Sequence, residues 1–282
     1  MKIAVLSGKG GTGKTFVSVN LATVAKRAVY LDCDVEEPNG HLFLKPENVV
    51  KESVYKLLPT IDKEKCNSCR KCVDFCKFNA LAFIKDKPKL FDEVCHSCGG
   101  CVMVCPQKAI SEDKHEIGHL EIGIHRGVRV ASGILNIGEA SGVGVISSLL
   151  KKGNELLQDD EIIIVDCPPG SACSVTESIS DADYCLFVVE PTVFGVHNFQ
   201  MVYELVELMG KPNGVVINKA PDETTIADKL CGEKNINVLA RIPYTKEIAQ
   251  MGANADIVSE KDSSLKELFT DLLEKIVEEA QK

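Results

Sequence analysis

The chain has 282 residues and a formal net charge of −9, enough for one large α/β domain or two smaller ones. Its 45% hydrophobic content allows a sizeable core, and the negative balance argues against nucleic acid as the main partner. No apolar run reaches the roughly 18 residues needed to cross a bilayer, and the N-terminus enters a strand with no basic stretch before it. A cytoplasmic protein without a membrane partner is therefore expected.

In chain order, Lys2–Leu6 reads as a buried strand. Gly8-Lys9-Gly10-Gly11-Thr12-Gly13-Lys14-Thr15 follows and fits G-x-x-x-x-G-K-[ST]. The next stretch, "KTFVSVNLATVAK", reads as a helix. Glycines let successive N–H groups turn toward phosphates, and the helix N-terminus adds positive potential. Lys14 is expected at the β- and γ-phosphates of ATP and the Thr15 hydroxyl on Mg²⁺. A second strand, Ala28–Leu31, leads into "LDCDVEEPNG", with Asp32 and Asp34 just past its end.

From about residue 57 to 115 the strand–helix rhythm gives way to cysteine-rich sequence. "GHLEIGIHRGVRVASGILNIGEASGVG" then alternates as one or two hairpin strands re-entering a sheet edge. The rhythm resumes with strands at Glu161–Val165, Tyr184–Val189, Gly214–Asn218 and Asn237–Ile242, and with helices at Val196–Met209 and Thr225–Cys231. Asp166 ends the first of these strands in "IIIVDCPPG", where a carboxylate is expected to hold Mg²⁺. Ser263–Lys282 sets eight apolar residues on one stripe; its polar face is acidic, so a docked core helix is expected rather than a membrane-surface helix. The alternation implies a mostly parallel sheet with helices on both faces.

Eight of the thirteen cysteines lie between residues 66 and 105, and a reducing compartment argues against disulfides. Cys66-x₂-Cys69-x₂-Cys72-x₃-Cys76 repeats 29 positions later as Cys95-x₂-Cys98-x₂-Cys101-x₃-Cys105-Pro106. This is the spacing of bacterial two-cluster ferredoxins, in which the fourth cysteine of each run ligates the other cluster. Cys66, Cys69, Cys72 and Cys105 are assigned to one [4Fe–4S] cluster, and Cys76, Cys95, Cys98 and Cys101 to the other. Zinc is the competing ligand, but its sites use two C-x₂-C pairs rather than two complete four-cysteine runs. Lys77 stands where a proline is common. Residues 57–115 carry ten basic and eight acidic side chains, so this segment does not share the acidity of the chain. Cys33, Cys167, Cys173, Cys185 and Cys231 are read as small core residues, although Cys33, Cys167 and Cys173 lie near the expected catalytic aspartates.

The K-G-G-x-G-K-T of Lys9–Thr15 resembles the deviant phosphate loop of the MinD/ParA/Mrp/nitrogenase-iron-protein class. "DCPPGSACSVTESISDADYCLFVVEPTVFGVHNF" and "IPYTKEIAQMG" are similar to members with an inserted ferredoxin domain, sometimes labelled by the CobQ/CbiA domain name. The resemblance covers nearly the whole chain. It implies a P-loop NTPase fold (1–56 and 116–282) interrupted by a small α+β two-[4Fe–4S] ferredoxin insert (57–115). It implies a nucleotide-sandwich homodimer in which Lys9 reaches the partner's nucleotide. It also implies that Asp34 polarises the attacking water and Asp32 supports the Mg²⁺ shell. Pro168-Pro169-Gly170 becomes the γ-phosphate switch, Asn218 meets adenine, and the loop around Pro243 closes over the base. The C-x-x-C pair of Mrp-class cluster carriers is missing, since Cys231 stands alone. The expected function is a slow, Mg²⁺-dependent ATPase that gates electron transfer to an unidentified redox partner. An iron–sulfur cluster carrier is the alternative, with a positioning or partitioning ATPase behind it.

Overall fold

A computed structural model describes residues 1–159 and 161–281. The strands are β1 (Lys2–Leu6), β2 (Ala28–Asp32), β3 (Glu47–Ile61), β4 (Leu81–Ile84), β5 (Lys87–Leu90), β6 (Ile110–His125), β7 (Val128–Leu135), β8 (Ile162–Asp166), β9 (Tyr184–Val189), β10 (Asn213–Ala220) and β11 (Val238–Pro243). The helices are α1 (Lys14–Val24), α2 (Gly40–Leu44), α3 (Lys71–Phe75), α4 (Gly100–Met103), α5 (Val143–Leu156), α6 (Cys173–Ser178), α7 (Val193–Leu208), α8 (Ile226–Lys234), α9 (Lys246–Ala253), α10 (Val258–Lys261) and α11 (Ser263–Ala280).

Among the described residues nine strands form one sheet in the order β11-β10-β9-β1-β8-β2-β7-β6-β3. Pairing is parallel from β11 through β7 and antiparallel at β7–β6 and β6–β3. The expected hairpin is β6–β7, and it does re-enter the sheet, with β7 parallel to β2. Alternation sorts the strand residues between two cores. Ala4, Leu6, Val29, Leu31 and Val165 pack under α5, α6, α7 and α8. Ile3, Val5, Tyr30 and Ile164 pack under α1, α10 and α11. Strands covered on both faces read as continuous apolar runs, which is why β1 and β9 match their expected limits. The last helix ends at Ala280; Lys282, expected to close it, lies outside the described residues.

The break in rhythm starts earlier than the cysteines suggest. β3 and β6 pair from Glu47 opposite Ile124 to Ile61 opposite Ile110 and form a long ribbon at the sheet edge. Residues 62–109 occupy its far end, around a small core of Cys72, Leu81 and Ile110 that is separate from the two main ones. The 29-residue repeat recurs in the backbone. Ser68 and Ser97, Arg70 and Gly99, and Asn79 and Lys108 all adopt positive φ, so each cysteine run bends at the same stations before and after its short helix.

Phe269 of α11 is fully buried and meets Phe16 edge-on at 6.1 Å between centroids. Phe269→Ala should lower the unfolding free energy by about 3–5 kcal/mol in a denaturant titration, because no neighbouring side chain can fill an aromatic-sized gap between α1 and α11.

Candidate functional site

The loop from Gly8 to Gly13 joins β1 to α1 and is fixed at both ends. A Cβ on Gly8 would fall 2.3 Å from the Asn198 backbone, and one on Gly13 would fall 2.1 Å from the Asn218 amide nitrogen. Gly13 also has φ +93°, which only glycine adopts freely. Asn218 Nδ2 donates to the Thr12 carbonyl oxygen at 2.7 Å.

Lys14, the first residue of α1, donates to Asp166 Oδ1 at 2.6 Å. The Tyr30 hydroxyl donates to Asp166 Oδ2 at 2.9 Å. The convergence follows from period two: Tyr30, Asp32 and Asp166 all point to the α1 face, and Asp32 pairs in register with Asp166. Asp32 is fully buried and accepts from the Gly40 N–H at 2.8 Å and the Asp34 N–H at 3.2 Å. Its oxygens therefore brace the 32–40 loop. Burial pushes the Asp32 carboxyl up to about 7, with the Asp166 charge adding and Lys14 opposing. Burial pushes Asp34 up to about 6, again against Lys14. Burial works against the Lys14 ammonium, but Asp166 outweighs it and holds that pKa above its usual value.

In front of this cluster lies a cavity of about 830 Å³ lined by residues 9–16, 34–37, 140–143 and 172–174. Lys9, Gly10, Gly11, Thr12, Gly13, Lys14, Thr15 and Asp34 therefore face one space, with Pro168 and Pro169 on its wall. Asp32 and Asp166 stand behind it, Asn218 lies under the loop, and Pro243 ends β11 outside the lining. The Thr12 hydroxyl oxygen is buried with no protein partner, as suits a loop built to surround an anion. Cys33, Cys167 and Cys185 are buried in the core on the other face of the sheet, where burial pushes their thiols up. Cys173 is exposed at the cavity wall.

Three contributors escaped sequence reading. Tyr30 looks like an ordinary strand residue until Asp166 is placed beside it. Glu190 pairs with Lys9 at 2.8 Å and with Lys219 at 3.4 Å; its position directly after an apolar strand, like that of Asp166, was the available signal. Lys219 also donates to the Gly11 carbonyl oxygen at 2.9 Å, and nothing in "INKA" announces that contact.

The eight clustered cysteines separate into two sets. Cys76, Cys95, Cys98 and Cys101 line a cavity of about 250 Å³ with Phe75, Leu81 and Glu112. Cys66, Cys69, Cys72 and Cys105 line a second, tighter one of about 20 Å³. Burial raises the Cys72 thiol, with Cys105 and Cys66 adding. It raises Cys101 to about 11, with Cys95 and Cys98 adding. Among the described residues no three His, Cys, Asp or Glu side chains converge as ligands of a single ion. Cysteine thiolates are the donors that iron–sulfur clusters use, and of the two cavities the one of about 250 Å³ is the roomier.

A phosphate loop clamped between β1 and α1, with strand-end carboxylates from β2 and β8 behind it, defines a nucleotide-binding P-loop fold. The chain belongs to the CobQ/CobB/MinD/ParA nucleotide-binding domain family, whose sequence profile matches residues 3–258. It is 33% identical over 286 residues to an uncharacterized protein of Methanocaldococcus jannaschii, covering 99% of this chain and 97% of that one. It is 52% identical over 58 residues to an iron–sulfur cluster carrier protein of Pyrococcus horikoshii, which is 19% of either chain. Its fold is similar to that of the septum site-determining protein MinD of Pyrococcus horikoshii, solved with Mg-ADP, at a TM-score of 0.60, 16% identity, and coverage of 98% and 95%.

The raised carboxyls carry a sign. Unfolded aspartates titrate near about 4, so between about pH 4 and about pH 7 the folded, nucleotide-free protein keeps protons on Asp32 and Asp34 that the unfolded chain has lost. The contribution of these groups to stability is present at low pH and lost as pH rises through the folded values. Asp34→Asn should therefore flatten the fall in urea-unfolding free energy between about pH 4 and about pH 6.

Proposed function

We propose that the protein is a Mg²⁺-dependent ATPase in which nucleotide-driven closure of a homodimer controls electron transfer through two [4Fe–4S] clusters. The inserted module is taken as residues 57–115, within an ATPase formed by 1–56 and 116–282. The observation that carries this reading is the crossed partition of the eight thiols around two cavities, at the end of a ribbon rooted beside the nucleotide pocket.

On this reading the N–H groups of residues 10–15 cradle the phosphates. Lys14 exchanges Asp166 for the β- and γ-phosphate oxygens, and the Thr15 hydroxyl and Asp166 hold Mg²⁺. Asp34, at the cavity wall, orients the attacking water, while Asp32 keeps the loop that carries it in shape. Lys9 completes the site of a second copy. Asn218 and the Pro243 loop serve the base. Cys66, Cys69, Cys72 and Cys105 hold one cluster, and Cys76, Cys95, Cys98 and Cys101 the other. Bound there, the clusters supply one-electron redox chemistry for a partner protein.

Two contacts give the pocket a grip on the ribbon. Asp32 binds the Gly40 N–H, and Gly40 packs against the Tyr30 ring, so α2 is tied to the Asp166 cluster, and β3 starts three residues after α2. Glu139, next to the 140–143 wall, pairs with Lys56 at 2.8 Å and His115 at 2.7 Å, which face each other across the ribbon. A shift of either wall on nucleotide binding pulls on the strands that carry the cysteines. The local similarity to an iron–sulfur cluster carrier supports a second reading, in which the clusters are cargo.

Anaerobic reconstitution should load about eight irons per chain, and Cys76→Ser should lose about half of them. With ⁵⁷Fe-loaded protein, Mg·ATP and an apo-ferredoxin acceptor, the iron should stay on the chain while ATP is consumed. Iron that moves to the acceptor only with ATP would establish the carrier reading instead. A chain that takes up zinc and no iron would end both.

A further inference from the structure

Glu190 follows the last residue of β9, and its side chain is 20% exposed. It faces two lysines. Lys9 Nζ lies 2.8 Å from one carboxylate oxygen and Lys219 Nζ lies 3.4 Å from the other. Lys219 also donates to the Gly11 carbonyl oxygen at 2.9 Å. It reaches the loop because its backbone is left-handed, with φ +53°, where β10 slips register against β11; an irregularity of this kind re-aims a side chain.

The packing around Lys9 is uneven. Gly8 on one side abuts the Asn198 backbone and cannot shift, whereas a Cβ on Gly10 or Gly11 would meet nothing within 4 Å. Lys9 therefore follows a packed residue and precedes a stretch with open space beside it, its own carbonyl oxygen accepting from the Ser7 hydroxyl at 3.0 Å. Its own side chain is 32% exposed. When Lys9 leaves, Glu190 still has Lys219, so no carboxylate is stranded without a counter-charge. Giving up one partly exposed ion pair costs little. The contact is thus strong enough to set where Lys9 rests and weak enough to be exchanged for a phosphate.

We propose that Glu190 is a positioning residue for Lys9: it holds this lysine within its own protomer and sets how readily Lys9 is released to the nucleotide of a second copy. The proposal rests on the sandwich-dimer reading above. Lys219 acts as the permanent counter-ion that lets the exchange occur.

The test is sedimentation of the full chain with Mg²⁺ and a non-hydrolysable ATP analogue. Glu190→Gln keeps the shape and removes the charge. Two lysines are freed per dimer, each by about two- to fivefold, so the dimer dissociation constant should fall by about four- to twenty-five-fold. Glu190→Asp should return most of the wild-type value, which a merely structural role would not predict. Unchanged or weaker association of Glu190→Gln overturns the proposal. Loss of ADP binding by that variant also overturns it, since Glu190 would then support the phosphate loop itself. Lys9→Ala separates the two levels. If Lys9→Ala abolishes association while Glu190→Gln leaves it unchanged, the sandwich stands and the positioning role falls. If Lys9→Ala associates like the wild type, the sandwich reading falls and takes the proposal with it.

Discussion

The ion pair between Lys14 and Asp166 organises the molecule. Both side chains are out of water, at 7% and 0% exposure, and an unpaired charge at that depth would cost several kcal/mol. Asp166 is held in turn by the Tyr30 hydroxyl, and Asp32 stands one strand over in register. Through Asp166 the start of α1 is therefore tied to the end of β8 and, by way of Tyr30, to β2. On the ATPase reading proposed above, an arriving phosphate would compete with Asp166 for a lysine that is already in place.

The sheet keeps this charge apart from the rest of the core. Alternation along β2 and β8 sends Tyr30, Asp32 and Asp166 to the α1 side and Cys33 and Cys167 to the α5–α8 side. Thiols adjacent in sequence to Asp32 and Asp166 are thereby on the far side of the sheet from the pocket, in apolar surroundings that keep them protonated. Their neighbourhood in the chain is not a neighbourhood in chemistry. Cys173, which follows the Pro168-Pro169-Gly170 turn, is the one of the three that reaches the cavity wall.

The ribbon of β3 and β6 has a different logic. Much of β3 is exposed, including Val50 and Tyr55, and it is an edge strand. It holds by backbone pairing to β6 along its length and by the Lys56–Glu139–His115 contacts at its root. Residues 62–109 are carried at the far end of this ribbon. Their buried side chains are few and mostly small, Cys72, Ala80, Leu81 and Ala109 among them, with Ile110 of β6 alongside. A core this small does not sustain an independent fold without a further cross-link, and the two rings of thiols are where one would form.

The local sequence determined a good deal. Apolar runs buried on both faces marked β1, β8 and β9 to within a residue, and G-x-x-x-x-G-K-T between a strand and a helix marked the loop and Lys14. The short helix inside each cysteine run, α3 or α4, comes just before the fourth cysteine, which lines the other run's cavity. Tertiary structure decided what depends on partners distant in the chain. The amide nitrogen of Asn218, expected at the base, also reaches back 206 residues to the phosphate loop. Asp32, expected near the Mg²⁺ shell, spends its oxygens on two backbone N–H groups. Tyr30 and Lys219 carry no local signature and Glu190 only its place after an apolar strand, since what makes each one matter is a contact across parallel strands whose order is not written in their spacing. Periodicity reports which face a residue takes; only the assembled sheet determines what stands opposite it.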